Sequence, residues 1–262
     1  MDALWNAQFG FAPALATALL HSLWQCVVLA VMAALIFQIL RGQSAALRHT
    51  VGMAFLIAMA VIPAAKFLQF WQQSAIEVNT ALLPAMTAPS IGTTPGIFVQ
   101  QSNGFALLLS LLWLAGAIAI AFRHLGSWLM IEWLDRRPFT SLPPEWQQRM
   151  DKLQRTMNIT RTVVVRVADD VLAPFTARMI RPVIWLPLSL LTRLPIEQIE
   201  ALLAHELAHI RRLDWLWNGI QCAIESILFF HPAVWWLSRR IRQEREHACD
   251  DLAVAASADH IA

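Results

Sequence analysis

Three apolar runs constrain this chain more than any other feature, because each is long enough to cross about 30 Å of hydrocarbon at about 1.5 Å of helical rise per residue. They cover roughly Pro13–Leu40, Val51–Phe70 and Phe105–Phe122. The third is the cleanest, with Ser110 and Trp113 its only polar-capable side chains. The first carries His21, Ser22 and Gln25, which predicts a face turned toward other helices. It is too long and too late to be only a cleavable signal peptide. Composition agrees with membrane residence: 57% of residues are hydrophobic and only 15% charged.

Loop charges orient the spans. Arg41 and Arg48 lie between the first two, whereas Trp71–Gly104 contains Glu77 and no lysine or arginine. The charge rule then places the first loop in the cytoplasm, the second loop and the N-terminus outside, and everything from Arg123, Arg136 and Arg137 onward in the cytoplasm. Lys66 is a single charge against this orientation and can snorkel to the interface. The net charge of +2 therefore reflects topology, and no basic patch interleaved with aromatics suggests direct nucleic-acid binding. Twelve tryptophans without a tyrosine suit interfacial anchoring. Cys26, Cys222 and Cys249 are scattered and odd in number, which argues against a disulfide framework.

From Trp128 onward charges rise. Pro143-Pro144 introduces an amphipathic helix over Glu145–Met157, with Trp146, Met150, Leu153 and Met157 on one side. Arg161–Val167 reads as a strand bounded by Asn158 and Asp169-Asp170. A second strand is expected over Met179–Leu186, where Pro182 favours an edge position to which a peptide substrate could add. Arg181, Val183, Ile184 and Trp185 are its candidate substrate-contacting residues.

The segment Ala204-His205-Glu206-Leu207-Ala208-His209 sets two imidazoles four apart with a glutamate between them. On a helix this spacing makes half of a zinc site together with its general base. Pro195, Glu197 and Glu200 suit the helix start, Arg211 and Arg212 its end, and Ile196, Ile199, Leu203 and Ile210 form an apolar stripe. Leu213–Leu237 is apolar enough to cross the membrane again, yet crossing would strand every downstream ligand candidate outside together with Arg239, Arg240, Arg242 and Arg245. Phe230-His231-Pro232 offers a break, so a hairpin is expected, one helix near Asp214–Phe229 and a second from about Pro232.

A catalytic zinc centre needs at least one more protein ligand. No third histidine stands at short spacing, which leaves a distant helical carboxylate. Glu246 and Asp250 are four apart on one helix face, suited respectively to completing the shell and to accepting the second N–H of a ligating histidine. Glu244 and His247 point elsewhere and suit a solvated face, while Cys249 suits a small buried side chain.

The chain resembles the BlaR/MecR-type integral-membrane zinc metallopeptidases, and more distantly the HtpX and Ste-twenty-four membrane proteases. The likeness rests on Ala173-Pro174-Phe175, on Arg181 to Pro187, on His205 to Asp214, on His231 to Trp236 and on Glu246 to Asp250. It implies His205, His209 and Glu246 as ligands of one Zn2+ per chain and Glu206 as catalytic base. The fold it implies is a mainly α membrane protein: three transmembrane helices in residues 1–127, then a cytoplasmic α+β gluzincin-like domain in 128–262 with a small sheet and a membrane-associated hairpin at about 214–237. The expected setting is the bacterial cytoplasmic membrane. Expected partners are the lipid bilayer and a protein or peptide substrate, such as a cytoplasmic transcriptional repressor, and a homodimer is compatible with the chain. Antibiotic-sensing members carry a further span and an external sensor domain, which the residues present do not include. Alternatives are a quality-control protease and a non-catalytic receptor or scaffold. The chain has no tyrosine to stabilise an oxyanion; His231, His247 and the arginines are candidates, and none is assigned.

Overall fold

The computed structural model describes residues 2–85, 97–134, 136, 138–169, 171–178 and 181–261. Arg137, Asp170, Met179 and Ile180 lie outside the described residues, as does the middle of the expected external loop. The chain forms α1 (Asp2–Ile39), a short 3-10 turn (Leu40–Gly42), α2 (Ala45–Ala85), α3 (Ile97–Leu134), β1 (Thr140–Ser141), α4 (Pro144–Thr156), β2 (Val164–Ala168), β3 (Phe175–Ala177) and β4 (Val183–Pro187). Then follow α5 (Leu188–Arg193), α6 (Ile196–Arg212), α7 (Asp214–Ile227) and α8 (Pro232–Ile261). Among the described residues three helical stretches, Gly10–Gly42, Ala45–Gln72 and Gly104–Ile131, are long and apolar enough to cross a membrane. Both α2 and α3 extend into the expected Trp71–Gly104 loop.

The fold divides into two compact units. The first holds Met1–Ile39, Ala54–Ala121 and Ala223–Ser238. Its helices bare large apolar side chains outward, among them Leu20, Trp24, Val31, Leu112 and Leu108, as suits hydrocarbon contact. Small residues face inward: Ala12, Ala14, Ala16 and Ala18 are buried, and Ser110 Oγ lies 3.3 Å from the Ala12 carbonyl oxygen and 2.8 Å from that of Ala106. Ser22 and Gln25 are buried as their polarity predicts. His21 is not; it is exposed and stacks on Phe70, ring centroids 5.8 Å apart.

The turn between α7 and α8 belongs to this first unit and is held by polar contacts to main-chain carbonyls. Trp113 Nε1 donates to the Ile227 carbonyl at 2.9 Å, His231 Nε2 to that of Leu23 at 2.9 Å, and Trp235 Nε1 to that of Phe229 at 2.6 Å. The Ile227 and Phe229 carbonyls stand at the end of α7, where carbonyls lack intrahelical partners, so the two tryptophan bonds satisfy groups that would be costly to bury alone, whereas the His231 bond ties the turn to the middle of α1. Gly116 completes the seat: a Cβ there would stand 2.1 Å from the Phe229 ring.

The second unit comprises Leu40–Met53, Phe122–Cys222 and Arg239–Ala262. Its sheet runs in the order β1-β2-β4-β3, with β2 and β4 parallel and the outer pairs antiparallel. One face presents Val165, Val167, Ile184 and Leu186 to Met150 and Leu153 of α4 and to Ile199, Leu203 and Leu207 of α6. The other carries Ala177, Val183 and Trp185, with Phe175 stacked on Trp185.

This topology corrects the expected edge strand. β4 is flanked on both sides and buried throughout, so Val183, Ile184 and Trp185 form a central strand, preceded by Arg181. Pro182 stands just before the ladder, where its missing N–H costs nothing, and the unbroken apolar run that follows is what a strand covered on both faces requires. The edge is β3. β3 ends at Ala177 because Arg178 adopts a left-handed φ of 65°, which turns the chain out of the sheet.

Replacing Gly116 with alanine should destabilise the protein in detergent by about 1–3 kcal/mol through overpacking against Phe229. Thermal unfolding of Gly116→Ala, Phe229→Leu and the double variant checks this: the cost of the alanine should largely disappear in the Phe229→Leu background, and an unchanged cost would contradict the packing.

Candidate metal centre

α6 begins after Pro195, whose φ of −59° and extended ψ of 154° lead the chain into the helix, and Glu197 occupies the first turn. Ile199, Leu203, Leu207 and Ile210 are buried against the sheet and fix the rotation of the helix; Ile196, expected in this stripe, is exposed. With that rotation set, His205 and His209 lie together on one flank, ring centroids 4.9 Å apart. Glu206, 7% exposed, points toward β3, where Thr176 Oγ1 donates to its Oε2 at 2.8 Å.

α8 brings Glu246 to the same flank. Its Oε2 is 3.6 Å from His205 Nε2 and 3.6 Å from His209 Nε2. Ligand bonds of about 2.1 Å to a tetrahedral ion separate neighbouring donor atoms by about 3.4 Å. Two nitrogens on one carboxylate oxygen at nearly this spacing therefore fit a metal ion without rearrangement of the backbone. Glu246 is about half exposed, which keeps the flank open on one side.

Each imidazole is held from behind. His205 Nδ1 lies 2.9 Å from Asp250 Oδ1, and His209 Nδ1 lies 2.7 Å from Asp214 Oδ2. These bonds fix the Nδ1–H tautomer and leave both Nε2 atoms facing Glu246. Asp214 is buried and follows Leu213, which ends α6 in a left-handed conformation (φ 58°, ψ 40°). A leucine held there costs about 1–2 kcal/mol, and the turn it makes directs Asp214 back beneath His209.

The ionisation of the cluster follows from these contacts. His205 is raised above the ordinary imidazole value chiefly by the Glu246 carboxylate opposite. Burial acts to lower His209, but Asp214, Cys249 and Glu246 outweigh it and push the value up to about 12. Glu246 is held well below the usual carboxylate range by the two imidazoles. Burial acts to raise Asp214, and the His209 bond with nearby Arg212 outweighs it, leaving the carboxyl lowered.

The structure brings His205, His209, Glu246 and Asp250 together with Glu206 one residue away on α6. One neighbour differs from expectation. Glu244 is fully buried, not solvated: Arg48 Nε lies 2.6 Å from its Oε2 and Arg240 2.7 Å from its Oε1. Two arginines, one from the first turn of α2 and one from α8 itself, make burial of that charge tolerable and fix α8 close to Glu246. Cys249 is buried in the core, with Sγ 3.3 Å from both His209 Nδ1 and Asp214 Oδ2. His247 is exposed, and His231 lies in the first unit on the Leu23 carbonyl. Asp214, Thr176 and Arg48 had no assigned role from the sequence. Asp214 could have been found as a carboxylate one turn beyond His209; the other two come from remote segments.

Comparisons with known proteins point to one family. Regulatory protein BlaR1 of Bacillus licheniformis is 33% identical over 88 residues, 34% of this chain and 14% of that protein. The methicillin resistance mecR1 proteins of Staphylococcus aureus and Staphylococcus epidermidis are 19% identical over 152 residues, 57% of this chain and 26% of theirs. The chain thus aligns with about a quarter or less of the length of these relatives. Residues 5–261 match the BlaR1 peptidase M56 family, and the chain, with three apolar helices and a histidine–carboxylate cluster, belongs to that family.

Proposed function

We propose that this chain is a membrane-bound zinc metalloendopeptidase, the proteolytic transducer of a signalling receptor, which cleaves a cytoplasmic regulator such as a transcriptional repressor or itself. The observation that carries this is the convergence of His205 Nε2 and His209 Nε2 on one oxygen of Glu246, with Glu206 adjacent. These three residues would hold the ion, since two imidazoles and one carboxylate are a donor set suited to a catalytic zinc. A bound zinc ion supplies Lewis acidity to a scissile carbonyl and to water.

The remaining steps belong to the chain. Glu206 takes a proton from water as the oxygen attacks the carbonyl carbon, and returns it to the leaving amine nitrogen as the C–N bond breaks. The water oxygen stays with the new carboxylate. Asp214 and Asp250 hold the imidazoles by Nδ1 so that the ligand nitrogens stay aimed. A substrate segment binds in extended form along β3, the sheet edge nearest Glu206, in place of the strand expected from sequence. The charge bias of the loops supports a cytoplasmic location for this unit. A base beside the ligands favours a peptidase over a scaffold, since a structural site needs no base.

Elemental analysis of purified protein should find about one zinc per chain, lost in Glu246→Ala and retained in Glu206→Gln. Cleavage by Glu206→Gln should fall by about 10²–10⁴-fold. Full cleavage by Glu206→Gln, or zinc unchanged in Glu246→Ala, would sink the proposal.

Acidity gives an independent check. In the metal-free protein the raised His209 stabilises the fold below its ordinary value of 6.5, and that contribution is lost as pH climbs toward about 12. The depressed Glu246 stabilises above its ordinary 4.5 and fails only on strong acidification. Metal must displace the imidazole protons, so its hold strengthens as pH rises. The gap in thermal midpoint between zinc-loaded and chelated protein should therefore widen from about pH 6 to pH 9; a constant or shrinking gap would contradict it.

A further inference from the structure

The hydroxyl of Thr176 donates to Glu206 Oε2 at 2.8 Å, and it comes from a different element, the edge strand β3. Side chains alternate along a strand. Phe175 and Ala177 accordingly turn to the far face, where both join Trp185 and Val183, while Thr176 turns toward α6. Pairing of Thr176 with Ile184 of the central strand fixes its backbone, and a β-branched side chain has few rotamers, so the hydroxyl is presented with little freedom. The Glu206 side chain is buried, where a carboxylate oxygen requires a donor.

We infer that Thr176 is a positioning residue for the base: its hydroxyl occupies Glu206 Oε2 and leaves Oε1 as the oxygen that receives the proton. The inference rests on Glu206 acting as base and adds the group that orients it. It also ties the base to the strand on which substrate is proposed to lie, since residue 176 offers its backbone to the sheet edge and its side chain to Glu206. A carboxylate free to rotate would meet water in the productive geometry less often, and a misplacement of about 1 Å costs as much as 10²-fold in rate.

The test uses the full chain in detergent, loaded with zinc, with labelled casein as substrate. Thr176→Val keeps shape and removes the hydroxyl. We expect kcat to fall by about 10- to 100-fold with KM within about twofold, zinc content unchanged, and Thr176→Ser to restore most of the loss. A measurement without turnover accompanies it: calorimetric binding of acetohydroxamate, a zinc chelator whose proton the base can hold. Affinity should weaken about tenfold in Thr176→Val and in Glu206→Gln, with no further loss in the double variant. Wild-type kcat and hydroxamate affinity in Thr176→Val would overturn the inference. A lowered melting point with kcat per bound zinc unchanged would reduce Thr176 to a packing role and overturn it equally. If Glu206→Gln is as active as wild type, or hydroxamate fails to bind the wild-type protein, the proposed function fails instead.

Discussion

Two imidazole nitrogens from α6 meet one carboxylate oxygen from α8, and the local structure of the second unit is arranged around keeping them there. Three groups this close are poor company without a cation, because the carboxylates behind the imidazoles add further negative charge. The protein answers in two ways. In the metal-free state the carboxylates raise His205 and His209, and the two imidazoles lower Glu246. Buried apolar contacts supply the rest: Ile199, Leu203 and Leu207 lock α6 against the sheet, and Cys249 and Ala253 place α8 in the same core. The hydrophobic stripe thus determines where the polar groups point.

Around this centre the carboxylates divide into distinct roles by their surroundings. Glu246 is half exposed and faces two Nε2 atoms. Asp214 is buried and bonds one Nδ1; Asp250 is exposed and bonds the other. Glu244, two residues before Glu246 and so on the opposite side of the helix, is neutralised by Arg48 and Arg240 and serves to anchor it. Glu206 accepts from the Thr176 hydroxyl. A histidine ligand with a carboxylate behind it is both oriented and made more basic, so these contacts bear on metal affinity as directly as the ligands do.

Much of this was legible in the sequence because it follows from short-range periodicity. Four-residue spacing announces that His205 and His209 share a helix face, and the same spacing pairs Glu246 with Asp250. The three apolar runs declare themselves by length, and Pro232 marks the start of α8 as its fixed φ requires. Long-range partnership was not legible. Glu244 looks like one charged residue among several on a polar helix, and only the approach of Arg48, 196 residues away in sequence, makes it buried. The sheet order failed for a related reason: Pro182 reads as an edge signal, yet it precedes the ladder, and Val183 to Leu186 are apolar on both faces because they are central. Strand identity is written locally, whereas strand order depends on pairing across the chain.

The central claim, that His205, His209 and Glu246 hold a zinc ion without sulfur, is tested most directly by X-ray absorption spectroscopy of the purified, zinc-loaded protein. The account predicts a shell of nitrogen and oxygen at about 2.0–2.1 Å with the multiple-scattering pattern of two imidazoles. A sulfur scatterer at about 2.3 Å, which would bring Cys249 into the shell, or a pattern with fewer than two imidazoles, would contradict it.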